Sequence, residues 1–211
     1  DNQGNLDIES GTSTIDNSIN TFTHSGVLTI RSTANNAGLV IANGFTNAGT
    51  ITLDNADSAA RTQSLTVSEG TLLNSGVIET TNSGGGSSTN NLDTDALSNT
   101  GTINVNGSMN LTFATSATNE SSGNINIAET KTLDINGGTF NNDGAITLLG
   151  NSLSTTLDLS GLTSLNNNSG ASITGFGTVV NSGVITGFGT FSVAPGGSPG
   201  ILIFDGDLNT A

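Results

Sequence analysis

Apolar and polar residues alternate along this chain in short runs, and residues 45–53, FTNAGTITL, show the pattern that recurs. The unit reads apolar, x, Asn, x, Gly, x, aliphatic, x, aliphatic. Nine copies align on Gly4, Gly26, Gly49, Gly76, Gly101, Gly123, Gly144, Gly170 and Gly183, and most steps between them are 21 to 27 residues. Two and four residues after the glycine stand Leu28 and Ile30, Ile51 and Leu53, Ile103 and Val105, Ile125 and Ile127, and Ile146 and Leu148. The residues between them, such as Thr29, Thr52, Glu79, Asn104, Asn126 and Thr147, are polar. A period of two with one apolar face predicts a strand. Four residues before the glycine, Phe22, Phe45, Leu72, Leu97, Phe140 and Val179 supply an apolar anchor. A second, looser strand is expected ahead of the corner, at Leu39 and Ile41, Leu65 and Val67, Leu111 and Phe113, Leu133 and Ile135, and Leu157 and Leu159. The glycine itself is expected to supply the positive φ of a sharp corner.

A unit of this size, with strands and turns and no helix, cannot bury its own apolar face. Copies must therefore stack, each strand pairing with its equivalent one turn on. The fold expected is all-β, a parallel β-helix or β-solenoid of about nine to ten coils, and at roughly 4.8 Å per coil the rod would be about 45 Å long. Two residues before the corner glycine stand Asn2, Asn47, Asn74, Asn99, Asn142, Asn168 and Asn181, with His24 and Ser121 in the other two copies. Asparagines at one register in neighbouring coils can each donate to one neighbour and accept from the other, an internal ladder that satisfies buried polar groups. His24, the single histidine, reads as a substitute member of that ladder.

Residues 1–211 read as one solenoid domain. The motif is already running at Asn2, so no N-terminal cap is expected; the chain opens at Asp1 without methionine or leader, as a processed or excised piece would. Residues 82–95, NSGGGSSTNNLDTD, form the one low-complexity run and are expected to protrude from the rod as a loop.

Composition narrows the function classes. There are 29 glycines, two prolines and no cysteine, and hydrophobic residues make up 33%. This suits a thin, turn-dense core and excludes disulfides and thiolate metal sites. Against 17 acidic residues stand only Arg31, Arg61 and Lys131, a formal charge of −14. Such a surface repels nucleic acid and anionic membranes, and no apolar run is long enough for this segment to insert as a membrane helix. Sequons at Asn106, Asn110, Asn119 and Asn167 are expected by chance in a chain so rich in Asn, Ser and Thr.

Two kinds of site chemistry are open to these residues. Calcium prefers hard oxygen ligands, and its candidates are the pairs Asp54 with Asp57, Asp93 with Asp95, and Asp205 with Asp207; none matches an EF-hand loop or a glycine-rich nonapeptide. No other cofactor is expected. A polysaccharide-active enzyme is the remote alternative, since a glycosidase needs two carboxylates on one sugar. Tryptophan and tyrosine for stacking on sugar rings are absent, and three scattered basic residues make a poor site for an acidic polymer. No catalytic residue is assigned.

The segment 195–211 carries a Pro-Gly-rich turn, Ser-Pro-Gly, an aliphatic strand and Gly-Asp, in Pro195, Gly196, Ser198, Pro199, Gly200, Leu202, Gly206, Asp207 and Leu208. It resembles the passenger-associated repeat of bacterial autotransporters, and the corners elsewhere are similar to those of large secreted adhesins. The resemblance implies a right-handed β-helix exported across an outer membrane and an adhesive or structural role at a bacterial cell surface. Expected partners are a host or cell-surface glycan or protein, or other copies of the chain. In that second case the chain is a filament subunit joined head-to-tail through its terminal coils.

Overall fold

The computed structural model describes residues 2–18, 22–181 and 184–192, and the backbone alone of residues 202–205. In chain order the strands are β1 (Asn5–Ile8), β2 (Gly11–Ile15), β3 (Phe22–His24), β4 (Val27–Ser32), β5 (Ala37–Asn47), β6 (Thr50–Asn55), β7 (Arg61–Asn74), β8 (Val77–Thr81), β9 (Ser88–Asn99), β10 (Thr102–Val105), β11 (Met109–Asn119), β12 (Asn124–Ile127), β13 (Thr132–Asn142), β14 (Ala145–Leu148), β15 (Thr156–Asn167), β16 (Ser172–Gly175), β17 (Gly177–Val180), β18 (Val184–Thr186), β19 (Thr190–Ser192) and β20 (Leu202–Asp205). Every pairing is parallel.

Short strands build one sheet, in the order β1-β4-β6-β8-β10-β12-β14-β16-β19, and longer ones build a second, β2-β5-β7-β9-β11-β13-β15-β17-β20, with β3 on β5 and β18 on β15. The chain alternates between them, which makes a parallel β-solenoid of about 7 turns. The expected nine to ten coils counted each glycine as a full turn. After β15 that fails: β17 and β18 each pair with part of one strand, β15, so the corners assigned at Gly170 and Gly183 do not mark two complete turns. Gly183 itself lies outside the described residues.

The alternation in sequence becomes stacked rows in space. Leu28, Ile51, Ile78, Ile103, Ile125, Ile146 and Ile173 are in register and wholly buried. Phe22, Phe45, Leu72, Leu97, Ala117, Phe140, Leu165 and Ile185 form a second inward row. Ala117 is the small member of that row. Phe113 fills the space from the next position, its ring 6.5 Å from that of Phe140. Each fully buried aliphatic side chain contributes roughly 1.5–3 kcal/mol, and rows of them explain how a chain of modest hydrophobic content holds a core.

The looser strand expected before each corner and the apolar anchor that follows it belong to a single long strand. In β5 the pattern from Leu39 and Ile41 runs on to Phe45 through a register shift between Asn43 and Phe45, and β7, β11 and β13 bend at equivalent places. Such a bulge lets one strand line two faces of the rod.

Residues 82–95 do not protrude as a whole. Ser88 onward belongs to β9, with Asn90 and Leu92 fully buried, because polar residues occupy inward positions there and disguise the strand pattern. Only residues 82–87 leave the sheet, and they lie against the preceding turn: Gly84 donates to the Asn55 carbonyl at 2.9 Å and Gly86 to that of Asp57 at 3.3 Å.

Candidate functional site

At the corner between the long strand and the short strand, side-chain amides run up the inside of the rod. Asn47 Nδ2 donates to Asn74 Oδ1 at 2.7 Å, Asn74 to Asn99 at 2.6 Å, Asn99 to Asn119 at 2.8 Å, Asn119 to Asn142 at 2.8 Å, and Asn142 to Asn167 at 2.8 Å. All six are buried. The second Nδ2 hydrogen reaches the backbone of the next coil, as from Asn47 to the Val77 carbonyl at 3.1 Å and from Asn119 to that of Ala145 at 3.3 Å. Each Asn carbonyl is used as well: Asn47 O accepts from Ser75 N at 2.8 Å and Gly76 N at 3.0 Å, and Asn74 O accepts from Thr100 N and Gly101 N. The ladder is polar in direction, every amide donating toward the C-terminal end.

His24 stands in this register, wholly buried and beside Asn47. Its Nδ1 accepts from Asn2 Nδ2 at 3.1 Å, and its Nε2 donates to the Thr50 carbonyl at 3.1 Å. The two contacts select the Nε2–H tautomer. With one ring N–H already spent on the backbone, His24 passes no hydrogen bond to Asn47, so Asn2 and His24 form a separate first rung.

Two expected members lie elsewhere. Asn168 is outside the ladder and donates to Asp143 Oδ1 at 2.9 Å; Asn167 holds the position instead. Asn181 is buried just after β17, and Thr186 rather than Asn181 is in register beside Asn166. The coil in which Ser121 stands two residues before the glycine has its ladder amide at Asn119. In both displaced cases the corner is two residues longer, Asn119 to Gly123 and Asn167 to Ala171, so counting two back from a glycine misses the amide. The ladder ends at Asn167, whose Nδ2 is buried without a hydrogen-bond partner. Asn119 and Asn167 are thus sequons whose side chains are inside the rod, whereas Asn106 is exposed.

Most corner glycines serve a different purpose from the one expected, whereas Gly170 does have the positive φ foreseen, at 92°. Gly26, Gly49, Gly76, Gly101 and Gly144 do not have positive φ. What they lack is room: a Cβ on Gly26 would overlap the carbonyl of Gly4, one on Gly49 that of Gly26, and one on Gly76 that of Gly49.

A second polar group forms where the short strand passes into the long one. Asp54, almost fully buried, accepts from Arg31 Nε at 3.1 Å, Thr81 Oγ1 at 2.7 Å, Ser83 N at 3.0 Å and Ser83 Oγ at 2.7 Å. Burial pushes its carboxyl up, but these hydrogen bonds outweigh burial and hold it below the ordinary aspartate value. Asp57 accepts from Ala59 N at 3.1 Å and Arg61 Nε at 2.7 Å, and these contacts hold it low as well. Asp54 and Asp57 therefore serve different loops instead of facing one ion. Asp93 and Asp95 share the outer face of β9, yet Asp95 accepts from Gly70 N at 2.8 Å while Asp93 is raised by burial, with Thr112 offsetting part of the rise. The side chains of Asp205 and Asp207 lie outside the described residues. Among the described residues no three His, Cys, Asp or Glu side chains gather to hold a metal ion.

Sequence reasoning missed the buried amides near this second group. Asn55 Nδ2 donates to the Ala59 carbonyl at 3.0 Å and the Gly86 carbonyl at 3.3 Å, tying residues 82–87 to the rod. Gln63 and Asn90 are paired neighbours and fully buried, yet both side-chain polar atoms of Gln63, and Asn90 Oδ1, have no hydrogen-bond partner. The readable signal was a polar residue at an inward position of a strand. On the outside, a shallow groove of about 260 Å³ runs over Phe22, Thr23, Thr46 and Leu73.

The fold and the ladder define a β-solenoid stabilised by an internal asparagine stack. No family model matches the chain, and neither a curated protein nor a solved structure matches it.

Proposed function

We propose that this chain is a non-enzymatic, extracellular solenoid of a bacterial cell surface whose role is adhesive or structural. The observation that carries this reading is the asparagine ladder. Polar side chains that could build chemistry are spent on joining coil to coil, in five consecutive Asn-to-Asn hydrogen bonds from Asn47 to Asn167. The outward rows are mostly threonine, asparagine and serine, interrupted by Leu73, Glu79, Asp93, Asp134 and Asp158, and present hydroxyls and amides suited to a neutral glycan or a protein surface. Thr23, Thr46, Leu73, Ser98, Thr118, Asn141 and Asn166 form one such row. The acidic passenger-like character of the sequence is consistent with export.

The test is binding of the purified chain to glycan arrays and to host matrix proteins. Saturable binding that is lost on replacing Thr46 and Ser98 with arginine supports adhesion through this face. The second reading, a head-to-tail filament, is favoured by the open strand edges of β1 and β2. Electron microscopy separates the two: long unbranched fibres favour the filament, and single short rods favour the adhesive reading.

A further inference from the structure

We propose that the groove over Phe22, Thr46 and Leu73 binds one neutral hexose ring at the end of a glycan, an assignment that rests on the adhesive reading above.

Size and charge narrow the occupant first. The groove measures about 260 Å³, below the roughly 300–1,000 Å³ of sites that enclose drug-sized molecules, so it has room for a single ring. None of the described residues that line it is charged, in a chain whose formal charge is −14. A cation finds no carboxylate there, and an anion finds no basic group to offset the field of the whole molecule. An uncharged ligand suits it.

One wall is polar. Thr23 and Thr46 are in register on successive coils, and Thr71 stands on the next. None of these three hydroxyls is spent on a hydrogen bond to a described residue, unlike those of Thr52, Thr80 and Thr81. Each can donate and accept, and strands about 4.8 Å apart set them in an array that the several hydroxyls of one sugar can satisfy.

The other wall is apolar. Phe22 is only partly buried, its ring 5.3 Å from that of Phe45 and tilted by 55°, and Leu73 is 46% exposed. Leu73 stands in register between Thr46 and Ser98, an aliphatic residue in a row of hydroxyls. A hexose has a polar rim and a C–H face, and covering that face with aromatic and aliphatic carbon is favourable where the hydroxyls fix its position. Gly44 leaves the wall bare between them, because the Thr71 backbone, 2.5 Å from where a Cβ would stand, admits no side chain. This glycine sits at the register shift between Asn43 and Phe45, and such bulges re-aim strands beside sites. All the lining residues belong to β3, β5 and β7, so the groove is formed before the ligand arrives.

The test titrates the methyl glycosides of glucose, galactose and mannose into the full chain and follows its amide resonances, with methyl glucuronide as the anionic comparison. At least one neutral glycoside should give saturable shifts centred on Thr23, Gly44, Thr46 and Thr71, and glucuronide should bind more weakly. Thr46→Val removes a hydroxyl and keeps the branched shape; it should weaken binding about fivefold, the share of one hydrogen bond, with the denaturation midpoint unchanged. Thr118→Val, the same change in the same row but outside the groove, should leave binding as it was. Leu73→Asp puts a carboxylate beside the ring and should abolish it. Four results would overturn the proposal: no saturable shift with any neutral glycoside, shifts centred elsewhere, glucuronide bound as tightly, or equal losses in Thr46→Val and Thr118→Val. Glycan-array binding that survives Leu73→Asp would overturn the groove while the adhesive reading stands. Groove-centred shifts without any array binding would support the groove and count against adhesion.

Discussion

Asparagine in this fold is worth what its two neighbours make of it. Removing Asn99 leaves Asn74 Nδ2 without its acceptor and Asn119 Oδ1 without its donor, both fully buried. Asn99→Leu should therefore lower stability by roughly 1 to 3 kcal/mol, the cost of buried amides left unpaired, measurable as a drop in the urea midpoint. Gln63 is the converse. Its amide is already buried and unpaired, so an apolar residue of similar shape relieves a cost instead of creating one. Gln63→Met should raise stability by about 1 kcal/mol; an unchanged or lower midpoint would mean that the amide is satisfied by solvent inside the rod. The register of these residues was only partly legible in the sequence. Asn47, Asn74, Asn99 and Asn142 could be placed because each precedes a glycine by two residues. Asn119 and Asn167 could not, because spacing measured from a glycine fails wherever a corner gains residues, whereas spacing measured from the inward apolar row (Ala117 then Asn119, Leu165 then Asn167) does not.

Strands and connections differ in how much of themselves the sequence displays. The short strands β10, β12 and β14 alternate strictly, and the inward pairs from Leu28 and Ile30 to Ile146 and Leu148 were legible, while the ends of β4 and β6 at Ser32 and Asn55 were not. The long strands read as a loose strand and a separate apolar anchor because the bulge interrupts the alternation, and residues 88–95 of β9 read as a loop because Asn90 and Thr94 face inward where an aliphatic residue is expected. What fixes the connection before β9 is Asp54, through Thr81 and Ser83. This predicts a pH dependence with two opposing parts. Asp54 has a folded value below its unfolded one, so its contribution is present above the ordinary aspartate value of about 3.9 and is lost as pH falls through the folded value. Asp93 is raised, so its contribution is greatest below the unfolded value and is lost as pH rises through the folded one. Asp54→Asn should weaken the chain at neutral pH by about 1 to 3 kcal/mol and flatten the acid limb of its midpoint-against-pH curve. Asp93→Asn should raise the midpoint at neutral pH and lose that advantage in acid. Because the carboxylates of Asp54 and Asp57 are committed to protein donors, a chelator should leave the midpoint of the parent chain where it was.

Seven turns at roughly 4.8 Å each make a rod about 34 Å long, in which each coil touches only the ones above and below it. Stability in such an array is a sum of coil and interface terms, so it need not be uniform along the axis. The ladder runs from Asn47 to Asn167, and the fully buried rows cover the same span, whereas Leu6, Ile8 and Ile15 at the lower end are only partly covered. Amide exchange should accordingly be slowest in β6 to β14 and fastest in β1 and β2, with protection rising coil by coil between them. A defect in the middle tests whether the coils depend on one another in this way. Gly76→Ala places a Cβ against the carbonyl of Gly49, and the corner is pinned on both sides by ladder hydrogen bonds, so the two coils must separate locally. Overpacking of this kind costs about 1 to 3 kcal/mol, concentrated at one interface. The expected result is faster exchange in β6 and β8 and a denaturation curve that broadens or splits, with β12 to β15 keeping their protection. If protection were lost evenly over all seven turns, the rod would be a single cooperative unit and the nearest-neighbour description would fail.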